Sequence, residues 1–74
     1  MRQFYLERLE DMSGVSGTGK VAVGVQLPSG KIVLEWCVDG IEPTIAIYDN
    51  IGVVERVHGH KGKTLVRWQE DLPE

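Results

Sequence analysis

The sequence predicts an α+β fold that is mainly β: a small antiparallel sheet or partly open barrel of about five strands with one short helix, in the order β-β-β-β-α-β. Two segments, residues 20–27 and 31–37, alternate apolar residues with others, as strands do. Residues 50–58 instead carry apolar residues three positions apart, which indicates a helix. The connections are too short for parallel crossovers except around the helix, so the strands are expected to be antiparallel.

The first strand and a hairpin belong to the N-terminal half of the chain. Phe4 to Leu9 predicts a strand, with a short helix as the alternative because its apolar residues also fit one helical face. Lys20 to Leu27 predicts a second strand, one face of which carries Val21, Val23, Val25 and Leu27. Pro28-Ser29-Gly30 joins a proline of fixed φ to a glycine that accepts a positive φ. This turn and the strand Lys31 to Cys37 complete a predicted β-hairpin.

Two further strands are predicted in the C-terminal half. Thr44 to Tyr48 is a β-branched and aromatic run, which favours a fourth strand. After a turn at residues 60–63, Thr64 to Gln69 alternates again and predicts the last strand.

A helix of two to three turns is predicted between these strands. Asp49 or Asn50 is expected to cap its start, and its apolar face comprises Ile51, Val54 and Val57. Gly59 is expected to be the left-handed residue that follows its end. Because Gly52 and the valines weaken a helix, a loop with a single helical turn is the alternative.

Length and composition limit the size of the core. The 74 residues predict one small domain, residues 1–74, with an ordered core over about residues 3–69 and a frayed tail at residues 70–74. Hydrophobic residues make up 42% of the chain, which is ordinary for a globular protein. A domain of this length buries only around 60 to 65% of the surface that its unfolded chain exposes. The core is therefore economical, and the sequence leaves a homodimer open.

The chain carries the features of a cytoplasmic protein. Cys37 is the only cysteine, so it has no partner for an intramolecular disulfide. The first residues lack the continuous apolar stretch of a signal peptide. No apolar run approaches the roughly 18 residues that span a bilayer, so no membrane association is expected.

A glycine-rich segment, Gly14-Val-Ser-Gly-Thr-Gly-Lys20, fits the phosphate-binding pattern GxxxxGK[ST] up to its lysine. Val21 stands where the pattern requires the Ser or Thr that holds magnesium. The residues that follow alternate as in a strand, whereas a phosphate loop is followed by a helix. Residues 17–22 fit the dinucleotide pattern GxGxxA and fail on the same ground. The sequence therefore predicts a connecting loop and no cofactor.

Two histidines and the cysteine are the candidates for metal or catalytic chemistry. His58 and His60 flank a glycine, and imidazoles are common zinc ligands. Two ligands do not make a structural zinc site, and no ligand spacing brings in Cys37 as a third. Neither an orienting group nor an oxyanion loop accompanies Cys37 as a nucleophile. We therefore expect no metal site, no catalytic residues and no enzyme, whereas an enzyme would require these three side chains to cluster in a pocket.

The distribution of charge bears on whether the partner is a protein or a nucleic acid. The formal net charge of -3 argues against a protein whose main task is non-specific nucleic-acid binding. The segment from residue 56 to residue 67 is nevertheless basic and contains no acid. The alternative function is a nucleic-acid-binding domain in which this segment meets phosphates through Arg56, Lys61, Lys63 and Arg67.

Several segments of the chain together resemble a known family. They are Phe4-Tyr-Leu6, Gly14-Val-Ser-Gly-Thr-Gly19, Trp36, Tyr48-Asp49, Val57-His-Gly-His60 and Trp68. The chain resembles short proteins of tailed bacteriophages, prophages and some bacteria and archaea, and its most specific parts are GVSGTG and VHGHKGKT. The resemblance implies an accessory protein in the cytoplasm of the host, and it transfers no functional residue to this chain.

The leading hypothesis is a small intracellular binding module that acts stoichiometrically on a host or phage protein. Loops rich in glycine and polar residues and poor in core residues are common recognition sites. Two such segments supply the predicted partner-binding residues, which are Val15, Ser16, Gly17, Thr18, His58, His60, Lys61 and Lys63. The sequence does not identify the partner.

Overall fold

The computed structural model describes residues 1–9, 18–37, 40 and 42–71, without the side chain of His60. The strands are β1 (Arg2–Arg8), β2 (Gly19–Gln26), β3 (Ile32–Trp36), β4 (Ile45–Tyr48) and β5 (Thr64–Trp68). The helix α1 (Ile51–His58) lies between β4 and β5 in the chain, and two short 3₁₀ turns, His60–Gly62 and Gln69–Asp71, precede and follow β5. The predicted order of four strands, a helix and a last strand is confirmed.

The five strands form one sheet in the spatial order β4-β3-β2-β1-β5, and every neighbouring pair is antiparallel. The predicted fold class is therefore confirmed in its open-sheet form, with β4 and β5 as the two edges. The predicted hairpin joins β2 to β3: the amide of Leu27 donates to the carbonyl of Lys31, and Gly30 has a φ of 94°. The strand interpretation of the first segment also holds, since β1 is the fourth strand across the sheet.

One face of the sheet, the covered face, packs against α1. Because β4 and β5 lie at opposite edges, the chain between them has to cross the sheet, and α1 contacts both strands. The side chain of Val54 joins α1 to the core formed by β1, β2 and β3. In the described residues the buried apolar core comprises Phe4, Leu6, Val21, Ala22, Ile32, Leu34 and Val54.

A β-bulge in β2 changes which of its valines are buried. Leu6 pairs with Ala22 but the next residue of β1 pairs with Lys20, so Val21 is the inserted residue. An inserted residue lets two consecutive side chains approach the same face, and both Val21 and Ala22 are buried. Beyond the bulge, Val23 lies on the opposite face of the sheet. The prediction that Val21 shares a face with Val23 and Val25 is therefore wrong, because the alternation of the sequence does not reveal an inserted residue.

The start of α1 agrees with the sequence and its end does not. Asn50 is the N-cap, and its side-chain Oδ1 accepts from the amide of Val53 at 3.1 Å. Gly59, expected to be left-handed, has a right-handed φ of -68°, because its amide still donates to the helical carbonyl of Glu55. Left-handed φ values occur later, at Lys61 (56°) and Gly62 (89°), in the 3₁₀ turn that leads into β5.

Removing the cap should weaken α1. Asn50→Ala is expected to lower the free energy of unfolding by about 1 kcal/mol, because the amide of Val53 loses its side-chain acceptor. Urea titration followed by circular dichroism measures the change. Asp49→Ala is the neighbouring control: its carboxylate forms only an exposed ion pair with Lys31, so a change within about 0.5 kcal/mol is expected. Equal losses for both variants would show that the cap is unimportant.

Candidate functional site

The face of the sheet opposite α1 is largely apolar, and we call it the open face. Its apolar side chains are Tyr5, Val23, Val25, Val33, Ile45, Ile47 and Leu65. Strand pairing sets Val25, Val33 and Ile47 side by side in one row, and the isoleucines are 65% and 69% exposed. No described element covers these side chains. A contiguous exposed apolar patch on a small protein typically marks an interaction site.

The open face is hollow at its centre. A depression of about 390 Å³ is lined by open-face residues, among them Lys20 and Glu35, and also by Phe4 and Gly24. Among the described residues, no cation pairs with the carboxylate of Glu35, which stands between Val23 and Ile45 in the same row of the sheet. An apolar surface with one anion near its centre suits a partner that brings apolar groups and a cation.

Toward β1 and β5, the open face carries charged side chains. Arg67 on β5 donates through its Nε to Glu7 Oε1 on β1 at 2.8 Å. Lys20 extends over the ring of Tyr5, with its Nζ 5.5 Å from the ring centroid. Glu7 and Arg67 therefore border the apolar block toward β5, whereas the row Val25, Val33 and Ile47 reaches the edge at β4 without a charged residue.

The four cations of the predicted nucleic-acid surface do not share one side of the sheet. Arg67 lies on the open face, because its neighbour Trp68 packs its ring against Phe4 on the covered face, with ring centroids 5.2 Å apart. Arg56 belongs to α1, on the covered side, and is exposed. Lys61 is exposed in the 3₁₀ turn beyond α1. Arg56 and Arg67, two of the four predicted phosphate contacts, therefore lie on opposite sides of the sheet.

The described residues of the two predicted partner-binding segments lie at the same end of the sheet, which we call the glycine-rich end. Thr18 is exposed and immediately precedes β2. Arg8 pairs with Gly19 on one side and with Thr64 on the other, and the amide of Leu9 donates to the carbonyl of Lys63 at 2.7 Å. Residues 15–17 and the side chain of His60 lie outside the described part of the structure. Sequence alone did not place the two segments together.

A buried arginine stands between these segments. Arg8 is only 7% exposed, and its Nε lies 3.4 Å from Thr64 Oγ1, which is also buried. Sequence reasoning missed this residue. The sequence signal for it is that Phe4, Leu6 and Arg8 are every second residue of β1, which puts the side chain of Arg8 on the covered face.

His58 has a structural role at the end of α1. Its Nε2 lies 2.7 Å from the hydroxyl of Tyr48, and its ring packs edge-on against Trp36 with centroids 4.9 Å apart. The imidazole therefore ties the helix to β3 and β4. Cys37 is exposed, with its Sγ 3.9 Å from the carbonyl oxygen of Lys20. Among the side chains that the structure describes, no three His, Cys, Asp or Glu residues come together as metal ligands.

Comparison with known proteins places the chain in a family. The model of the Acb5 phage protein family matches residues 1–70, a range that includes every strand and α1. The chain belongs to the Acb5 phage protein family. No curated protein and no solved structure is significantly similar to this Acb5-family chain. The resemblance to phage proteins is thus confirmed at the level of the family. No helix within the described residues has the length and apolar character needed to cross a membrane.

Proposed function

We propose that this Acb5-family protein is a small binding module that acts stoichiometrically on a host or phage protein in the cytoplasm of the infected cell. The observation that carries the proposal is the open face, which leaves one side of the sheet apolar and solvent-exposed. In a chain whose core is this small, such a surface lowers solubility unless a partner covers it.

The chemistry of the open face favours a protein over a nucleic acid or a lipid surface. Glu35 stands among apolar side chains and repels phosphate groups. The central depression accommodates a protruding apolar side chain, as hot-spot pockets of protein interfaces do. The partner should therefore present an apolar side chain next to a lysine or arginine that pairs with Glu35.

A capture experiment with matched variants tests this function. The tagged protein is incubated with host and phage-infected lysates after nuclease treatment, at low and high salt, and bound proteins are quantified. We expect one protein in stoichiometric amount at both salt concentrations, because an interface with an apolar centre resists salt. Val25→Lys should weaken its binding at least about tenfold, because the ammonium is set into the apolar centre.

Val57→Lys is the control for this substitution. Val57 is 54% exposed on α1, on the other side of the sheet, so the same chemical change there should leave binding intact. Equal binding by wild type and Val25→Lys would refute the open face as the site. Thr18→Ala and Lys61→Ala, in the same assay, test the glycine-rich end as the contact surface.

The nucleic-acid alternative gives a different result in the same experiment. It predicts that nucleic acid is recovered without nuclease, that recovery falls steeply with salt, and that Arg56→Ala reduces it. If nucleic acid is recovered equally by wild type and Val25→Lys, nucleic-acid binding would be the function and the protein-binding proposal would be wrong.

A further inference from the structure

We infer that two copies of this protein pair through the outer edge of β4, in antiparallel orientation about a two-fold axis at Ala46, to form one ten-stranded sheet. The inference does not depend on which protein the open face binds. It follows from the direction of the backbone groups of β4, the side chains that flank them and the difference between the two edges of the sheet.

Hydrogen bonding to β3 fixes which backbone groups of β4 point outward. The amide of Trp36 donates to the carbonyl of Thr44, and the pairing continues in register through Ala46 opposite Leu34. In an antiparallel ladder the residues that bond to one neighbour alternate with those that face the other side. The N–H and C=O groups of Ile45 and Ile47 therefore point away from β3, toward the open edge of the sheet. Outside the strand ladders, no backbone hydrogen bond between described residues involves either isoleucine.

These outward groups are self-complementary. With the two-fold axis at Ala46, Ile45 of one copy lies opposite Ile47 of the other, and each residue donates one hydrogen bond and accepts one. The two symmetric pairs give four hydrogen bonds in total. Two alanines meet at the axis, where antiparallel strands approach most closely, and their small side chains fit that distance.

The side chains support the same arrangement. Ile45 and Ile47 both lie on the open face, so each isoleucine is placed beside an isoleucine of the second copy. Cross-strand pairs of β-branched residues stabilise sheets. Because the apolar block of the open face reaches β4, the pairing joins two blocks into one continuous apolar surface.

The two edges of the sheet differ in their protection. Exposed edge strands normally carry charged side chains, prolines or bulges that discourage pairing. On β5, Arg67 is an exposed charge. The sequence of β4, Ile-Ala-Ile-Tyr, contains none of these devices, and Pro43 stands just before it. The proline limits the paired segment to about five residues, so the interface is small and the expected dissociation constant is on the order of 10 µM.

A concentration series tests the pairing. Sedimentation equilibrium of the wild-type protein from about 1 µM to about 1 mM should show a monomer that converts to a dimer. Amide exchange of Ile45 and Ile47 should slow at least about tenfold between the lowest and highest concentrations, while exchange of the other edge strand does not change. A monomer throughout this range, or unchanged exchange at both isoleucines, would overturn the inference.

Ile45→Pro provides the variant. Proline removes an outward N–H and leaves the groups that bond to β3 in place, so the monomer should fold and dimerisation should be lost. Ile45→Val is the control and should dimerise within about threefold of wild type. If Ile45→Pro does not fold, Ile47→Lys places a charge at the same edge with the backbone intact, and loss of the dimer is again expected. A dimer that survives the edge substitutions and is abolished by Val25→Lys would mean face-to-face packing, against the inference.

These experiments test the dimerisation inference and the partner-binding proposal independently. Val25 is not an edge residue, so a Val25→Lys protein that dimerises but captures nothing would leave the edge pairing intact and support the open face as the partner site. A wild-type protein that binds its partner as a monomer at every concentration would refute only the edge pairing.

Discussion

Gly24→Ala is expected to destabilise the protein by about 2 to 3 kcal/mol, an effect typical of overpacking in a close-packed core. A Cβ at this position would lie 2.4 Å from Cζ and 2.7 Å from Cε1 of Phe4. Phe4 pairs with Gly24 on one side and with Trp68 on the other, and the two aromatic rings are in contact. The phenyl ring is only 3% exposed and packs against Trp68, so it has to shift within the core to admit the methyl group. Urea unfolding of wild type and variant at low protein concentration measures the difference.

A second substitution identifies the phenyl ring as the cause. Phe4→Leu shortens the side chain that collides with the new methyl group, so adding Gly24→Ala to a Phe4→Leu protein should cost less than about 1 kcal/mol. This double-mutant cycle separates the collision from the general effect of alanine in a strand. A loss below about 0.5 kcal/mol for the single Gly24→Ala variant would contradict the close contact.

Leu34→Ala is expected to cost about 3 to 4 kcal/mol, within the range for truncating a fully buried leucine. Leu34 is fully buried in β3, beneath α1, and its removal leaves a cavity that neighbouring strands cannot close. A domain of this length has a total stability of roughly 4 to 11 kcal/mol, so the variant loses a large share of it. Thermal and urea unfolding should both show the loss.

The adjacent residue is the control for this truncation. Val33 lies on the open face and is only half-buried, so Val33→Ala should cost about 1 kcal/mol or less in the monomer. The two variants differ by one position along β3 and by the face on which the side chain lies. Similar losses for both would mean that the open face is covered in solution, and measurement at several protein concentrations would then identify a second copy as the cover.

Much of the fold was predictable because local signals agreed with each other. Alternating residues on both sides of Pro28-Ser29-Gly30 predicted the hairpin, and the structure has its strands within one residue of the expected bounds. Asn50 before three-spaced apolar residues predicted the start of α1. Short connections favoured antiparallel pairing, which is the arrangement observed.

The remaining features depend on contacts between distant parts of the chain. Alternation in β2 did not indicate which side faces α1, since both sides carry small or apolar residues. The bulge at Val21 also puts this valine on the face opposite to Val23. Gly59 satisfied the sequence rule for a helix end, but the chain reverses only at Lys61 and Gly62. A glycine marks where a positive φ is inexpensive, not where the chain uses it.

The candidate site was predictable only in part. Both glycine-rich segments were predicted as connections, but the position of Thr18 and Lys63 at the same end of the sheet depends on the pairing of Arg8 with Gly19 and Thr64. The open face was not predicted, because exposed valines and isoleucines in strands look the same in sequence as buried ones. Only the position of α1 determines which of the two apolar faces is covered.

The pairing of the first strand with the last has a consequence for how the chain acquires its fold. β1 and β5 are joined by contacts such as that between Glu7 and Arg67, which are 60 residues apart in a chain of 74. Contacts this distant are slow to form, because most of the chain must be ordered before they close. During synthesis, β1 has β2 as its only partner strand in the described sheet until β5 has been added. β5 is therefore the last strand to join the sheet, and its removal would leave Phe4 without its aromatic neighbour and β1 as a new exposed edge.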